Sequence, residues 1–286
     1  MTPLHTLLAV LINLIWGSMF IAASIGLEEF PPLLFTAIRF ALLAVLLSGF
    51  LKVPRELLFS LVKIGLVMGL GMYLSLYLSI ALAENTASIA VFSKLEVPFA
   101  LILGVILLKE HIGPKRIAGI TIAMVGALLI SFDPAALDDL VALFWMAISC
   151  GFSAYAMIQV RRLGKIHPLT ITAWVSLIGA PALMLNSLVF ESAQLTVMQQ
   201  ASSTGWIALL YTAIMGSVLA HSGFYYLLQR YPVGLVSPFT LLSPIFAVIG
   251  GLLFLDDQLT GGLIVGGLLI LAGVAWINAR VTQAQA

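Results

Sequence analysis

The run from Ala87 to Leu103 is apolar except for two serines and a charged pair at its centre, Lys94 and Glu96. Its flanks extend it to 86–108, long enough for a helix to cross a bilayer. A charge at that depth costs about 2.5–3.5 kcal/mol on insertion scales, so something must compensate for it. A cation and an anion two residues apart could hold the two ends of a zwitterion, or one of them could carry a proton. On a continuous α-helix the two point about 200° apart and cannot easily pair with each other. The alternative is a structural pairing with another helix, or a neutral form of each.

Other polar groups lie at similar depth. His221 is the one histidine expected deep in a span, on one helical face with Tyr225. Its titration range suits a proton-linked switch, and a satisfied core histidine is the alternative. Tyr73 and Tyr77 are four apart, and Trp16 and Tyr155 fall mid-span. Mid-span rings with polar atoms suit the wall of a site for an apolar or aromatic molecule; packing or lipid contact is the competing use. Arg39, about 9 Å below the outer start of its helix, reads as structural, snorkelling outward or capping a helix end. Pro98 and Pro244 follow the polar positions of their helices and can bend them, as gates do.

These residues need helices to place them. The 286-residue chain is 62% hydrophobic and 9% charged, against about 45–50% and 25% in soluble domains. Turn and charge signals divide it into ten apolar spans: 4–25, 33–51, 58–82, 86–108, 114–132, 139–160, 169–190, 205–228, 233–255 and 260–280. No basic segment precedes the first run, which reads as a helix rather than a cleaved signal. With the N-terminus inside, the inner loops receive Lys52, Arg55, Lys63, Lys109, Lys115, Arg116, Arg161, Arg162, Lys165, Arg230 and Arg280. The outer loops receive no Lys or Arg but hold Glu28, Glu29, Glu84, Asp133, Asp138, Asp139, Glu191, Asp256 and Asp257. A wrong count would mix the two sets, so the bias predicts ten spans with both termini cytoplasmic.

The halves repeat. Phe92, Leu95, Ala100, Gly104, Leu108, Gly119, Gly126 and Ile130 recur 147 positions later as Phe239, Leu242, Ala247, Gly251, Leu255, Gly266, Gly273 and Ile277. Five spans per half make the second half enter from the opposite side. The expected fold is all-α: ten transmembrane helices as two inverted repeats, residues 1–135 and 136–286, forming one transport unit. Such repeats are the signature of many secondary transporters, with the site near the midplane between them.

Trp16-Gly-Ser-Met-Phe20, Arg39-Phe40, Leu108-Lys-Glu-His-Ile112 and Leu255-Asp-Asp-Gln-Leu259, each of the last two followed by glycines seven apart, resemble the EamA-type drug/metabolite transporters in order and spacing. The resemblance covers the whole chain. It implies a ten-helix inverted-repeat fold, a cavity lined mainly by spans 1, 3, 4, 6, 8 and 9, and export of small metabolites, amino acids prominently. It also marks departures. Ala22-Ala23-Ser24 stand where many relatives carry a lysine, His221 and Phe224 where Tyr and Trp are frequent, and Ser243 where Glu is frequent.

The expected function is therefore alternating-access export of amino acids or related metabolites from a bacterial inner membrane, with efflux of cationic or amphiphilic compounds as the alternative. The expected site comprises Lys94, Glu96, Trp16, Tyr73, Tyr77, Tyr155, His221, Tyr225 and Ser243, with Pro98 and Pro244 gating. No nucleotide-binding Gly-x4-Gly-Lys-Ser/Thr motif is present, and metal-ligand spacing is missing. A single cysteine, Cys150, allows no intramolecular disulfide. The chain reads as no enzyme, with no cofactor. Its partners are a small-molecule substrate, the lipid bilayer and protons or the substrate's own gradient, with no nucleic acid. Gly65-x-x-x-Gly69 and Gly262-x-x-x-Gly266 suit close packing within the bundle, or else a homodimer face.

Overall fold

A lipid-embedded chain must satisfy its backbone internally, which leaves helices or a closed barrel. In the computed structural model, all regular structure among the described residues is helical. The described residues are 1–82, 93–131, 140–243, 245–247, 249 and 261–278. Glu84, Phe92, Asp133, Asp138, Asp139, Pro244, Gly251, Leu255, Asp256, Asp257 and Arg280 therefore lie outside them, as do the side chains of Tyr77, Ile130 and Gly262.

The chain opens with α1 (Pro3–Leu27) and α2 (Pro32–Leu46). Next, α3 (Arg55–Gly65) runs through a π-helical stretch, Leu66–Met72, into α4 (Tyr73–Leu82). A 3₁₀ turn, Ser93–Leu95, leads into α5 (Glu96–Leu108), followed by α6 (Pro114–Ser131), α7 (Leu140–Arg162) and α8 (Pro168–Phe190). After α9 (Gln194–Gln200), α10 (Ser203–Tyr211) continues through a π stretch, Thr212–His221, into α11 (Ser222–Arg230). Short α12 (Val233–Val236) meets a 3₁₀ stretch, Ser237–Leu242, and α13 spans Gly261–Asn278.

These helices overlap every expected span. Five runs are long and apolar enough to cross a membrane: Pro3–Leu27, Arg55–Leu76, Leu140–Arg162, Pro168–Phe190 and Ser203–Arg230. α2 stops short of its expected end at 51 and gives way to a 3₁₀ turn at Ser48–Phe50. Ser48 and Gly49 are weak helix formers that favour such tightening.

The outside of the molecule is apolar. On α1, Leu4, Leu7, Leu11 and Leu14 form an exposed stripe at helical spacing. Ile264, Val265, Leu268 and Leu271 do the same on α13. Such apolar stripes are an interaction surface in water and the ordinary face of a helix in lipid. Polar residues point inward instead, Asn13, Ser75, Ser79, Ser149 and Thr172 among them.

Glycines set the closest contacts. Where α6 meets α13, Gly126 lies against Gly266 and Ile270, and Gly273 lies against Gly119 and Ala123. Each pair is the other shifted by 147 in both partners, so the contact is reciprocal. Gly65 and Gly69 pack on α8, against Trp174, Ile178 and Gly179. Gly65, Gly69 and Gly266 thus serve contacts inside the chain.

Charged residues cap helix ends. Glu191 accepts from the N–H groups of Leu33 (2.7 Å) and Leu34 (2.9 Å) at the start of α2. Glu110 accepts from Val233 (2.8 Å) and Gly234 (3.1 Å) at the start of α12. Arg161 donates to the Gln229 carbonyl (2.7 Å) at the end of α11, and Arg162 to the Leu107 carbonyl (2.8 Å) at the end of α5. Carboxylates on N-termini and guanidinium groups on C-termini follow the helix dipole.

Candidate functional site

Within the bundle lies a cavity of about 410 Å³, within the size range of small-molecule sites. Trp16 and Met19 reach it from α1, Arg39 from α2, Met68 and Met72 from the first π stretch, and Tyr73 from α4. Ser93, Lys94 and Glu96 come from the start of α5, Ser153 and Met157 from α7, and His221, Phe224 and Tyr225 from the far side. Thr240 and Ser243 line it as well.

Lys94 and Glu96 both line this space, although a continuous α-helix would point them about 200° apart. The reason is local. Lys94 belongs to a 3₁₀ turn, and the α-helix begins only at Glu96. A 3₁₀ turn advances about 120° per residue instead of 100°, which brings the two from nearly opposite to about 120° apart. They interact electrostatically, and the Ser153 side chain interacts with the Glu96 carboxyl. Pro98 stands third in α5, within the first turn, where the missing N–H breaks no helical hydrogen bond.

The aromatic wall is continuous. Trp16 packs edge-on against His221 (5.2 Å between centroids) and Phe224 (5.1 Å), an arrangement favoured by ring quadrupoles. His221 packs on Tyr225 (6.2 Å), whose hydroxyl points at the Met68 sulfur (3.3 Å). His221 Nδ1 lies 2.8 Å from the Gly216 carbonyl oxygen. The Trp16 indole N–H lies 3.4 Å from the same Nδ1, so donation to the carbonyl and acceptance from Trp16 are alternatives set by the ring's tautomer. Beside this wall a 10 Å³ void, about one water in size, touches Thr172, Ser176 and Ser217. The Ser176 hydroxyl there is buried with no protein partner.

Of the expected site residues, the structure brings together Trp16, Tyr73, Lys94, Glu96, His221, Tyr225 and Ser243. Tyr155 is not among them. Its ring faces the Lys63 ammonium, 5.0 Å from the centroid, because it lies on the opposite face of α7 from Ser153 and Met157. These two are four apart and both face the cavity; that spacing was the available signal.

The residue that sequence reasoning placed elsewhere is Arg39. It does not snorkel outward: it is 7% exposed and lines the cavity. Its Nη2 donates to the Tyr73 hydroxyl at 3.1 Å, and its guanidinium carbon sits 5.3 Å from the Phe40 centroid and 5.9 Å from that of Tyr73. Rings at these distances stabilise a cation. No metal-holding group of His, Cys, Asp or Glu side chains occurs among the described residues.

The model of the EamA-like transporter family matches the chain twice, over residues 4–132 and 140–279. A probable amino-acid metabolite efflux pump of Salmonella typhimurium strain LT2 is 27% identical over 280 residues, covering 95% of this chain and 93% of its own. One of the same description from Escherichia coli strain K12 is 25% identical, with 95% and 93% covered. A solved crystal structure superposes with a TM-score of 0.82 over 99% of both chains at 17% identity, a likeness of fold.

Proposed function

The chain belongs to the EamA-like transporter family, and from that premise we propose that it exports amino acids or related small metabolites from the cytoplasm of a bacterium. It is a membrane transporter and not an enzyme. The observation that carries the substrate reading is the cavity itself. It presents an acidic side chain, Glu96, and two basic side chains, Arg39 and Lys94, to one space beside an aromatic and methionine wall. A zwitterion with an apolar side chain matches each of these in turn. A simple organic cation would meet two basic groups, which disfavours drug-like cations.

The mechanism we propose is alternating access between two inverted five-helix halves, 1–135 and 136–286, with ten spans and both termini in the cytoplasm. Support comes from the family model matching each half separately and from the reciprocal glycine contacts of α6 and α13. The wholly inner placement of basic loop residues supports the orientation. A proton gradient or the substrate's own gradient drives transport in this scheme.

Counterflow in proteoliposomes tests the reading. Vesicles are preloaded with one unlabelled amino-acid pool and given a labelled tracer at two pH values. Saturable accumulation that Glu96→Gln and Lys94→Ala abolish is the expected result. Exchange of organic cations with none of amino acids would replace this reading with the drug-efflux one.

A further inference from the structure

We propose that Arg39 is the carboxylate-binding residue of the cavity, so that the transported molecule must carry a free carboxylate. The inference rests on the export reading above and deepens it. A guanidinium does not lose its charge inside a protein, so one left only 7% exposed has to be compensated. What the structure provides is incomplete. Among the described residues the compensation is one hydrogen bond, to the Tyr73 hydroxyl, and the faces of Phe40 and Tyr73. Nε is buried without any acceptor. No carboxylate among the described residues bridges to this guanidinium, Glu96 of the same cavity included.

A planar donor fork that is buried, packed on two rings and without an anion among the described residues is suited to accept one from the cavity. Carboxylate is the group whose two oxygens match that fork. The pair Lys94 and Glu96 then faces the other end of the ligand, where an ammonium can bind Glu96. This division also removes the difficulty of asking Lys94 and Glu96 to hold both ends of one small molecule.

The test uses the full-length protein in proteoliposomes and the amino acid that gives the strongest counterflow. Its amide keeps the ammonium and loses the carboxylate. In wild type the amide should compete with the tracer at least about tenfold more weakly than the parent, the scale expected for losing a charge-assisted pair. Arg39→Gln should raise KM for the parent by about tenfold or more and bring the two competitors level. Arg39→Lys should recover part of the difference, since it keeps the charge but not the fork. Equal competition by amide and parent in wild type overturns the role of Arg39 while leaving the export reading intact, and that arm needs no variant to fold. Absence of counterflow with every amino-acid pool overturns the export reading, and this inference with it.

Discussion

Replacing Gly126 with alanine tests the seam between α6 and α13. The new Cβ would stand 2.5 Å from the Gly266 carbonyl oxygen, 2.8 Å from the Ile270 nitrogen and 2.9 Å from the Leu269 Cβ. Two of these three atoms are backbone and cannot rotate away. Relief requires the helices to part by about an ångström, which forfeits dispersion along the whole contact. Overpacking of this kind costs about 1–3 kcal/mol. Alanine also gains about 1 kcal/mol over glycine in a helix interior, so the cost has to be read against a control. Gly151, inside α7, supplies it, because a Cβ there meets nothing within 4 Å. The propensity gain cancels in the difference. Gly126→Ala should therefore be less stable than Gly151→Ala by about 1–3 kcal/mol, a gap of several degrees in Tm. Gly273→Ala meets the Gly119 carbonyl oxygen at 2.5 Å and the Ala123 nitrogen at 2.7 Å, so it should fall by a similar amount. The double variant should lose less than the sum, since one separation relieves both clashes. Thermal unfolding in detergent, followed by size-exclusion chromatography, gives the ordering. Gly126→Ala surviving as well as Gly151→Ala would refute the geometry.

Three further outcomes are expected. Glu191→Ala leaves the Leu33 and Leu34 N–H groups without their acceptor and should cost about 1–2 kcal/mol in thermal unfolding; Glu191→Gln, which keeps an oxygen, should cost less. The Ser202 hydroxyl and backbone N–H hold the exposed Glu29 carboxyl below its ordinary pKa. Its contribution to stability is therefore complete above the ordinary carboxylate value and lost as pH falls through the depressed one, and Glu29→Gln should flatten the acid side of a Tm–pH profile. In a Cys150→Ser background, a membrane-impermeant maleimide should label Thr204→Cys in intact cells and Lys165→Cys only after lysis. Labelling of both in intact cells would contradict the orientation.

The helices were legible in the sequence because apolar runs and loop charges carry the signal directly. The cavity was legible where a polar atom stood too deep for lipid, as for Lys94, Glu96, His221 and Trp16. Rotation about each helix was harder to read. Depth alone points to Tyr155, but α7 turns it to Lys63, and the small Ser153 takes the cavity face instead. Arg39 stood near enough to the outer edge for snorkelling to suffice. Its inward turn depends on the rings of Phe40 and Tyr73, and the Tyr73 ring is 34 residues away, beyond the reach of any local pattern. The relation of Lys94 to Glu96 depended on where the α-helix starts, and end geometry is the least readable feature of a helix.

Backbone irregularity locates the cavity independently of charge. The π stretches Leu66–Met72 and Thr212–His221 and the 3₁₀ segments Ser93–Leu95 and Ser237–Leu242 each supply lining residues: Met68 and Met72, His221, Ser93 and Lys94, and Thr240. Departures from α geometry at membrane depth are tolerated where they are buried in protein or line a cavity, and π segments recur at functional sites. These departures also recur with the repeat. Ser93 and Leu95 shifted by 147 are Thr240 and Leu242, and Leu66–Met72 shifted likewise falls within Thr212–His221. The charges break that symmetry. The same shift carries Lys94 to Leu241 and Glu96 to Ser243, and Arg39 too belongs to the first half. On the export reading, a paired backbone frame builds one chamber, and among the described residues the first half supplies the charges that fix the ligand's polar end. The rings of His221, Phe224 and Tyr225 are left to receive the rest, and the ligand then has one orientation in a site whose frame would permit two.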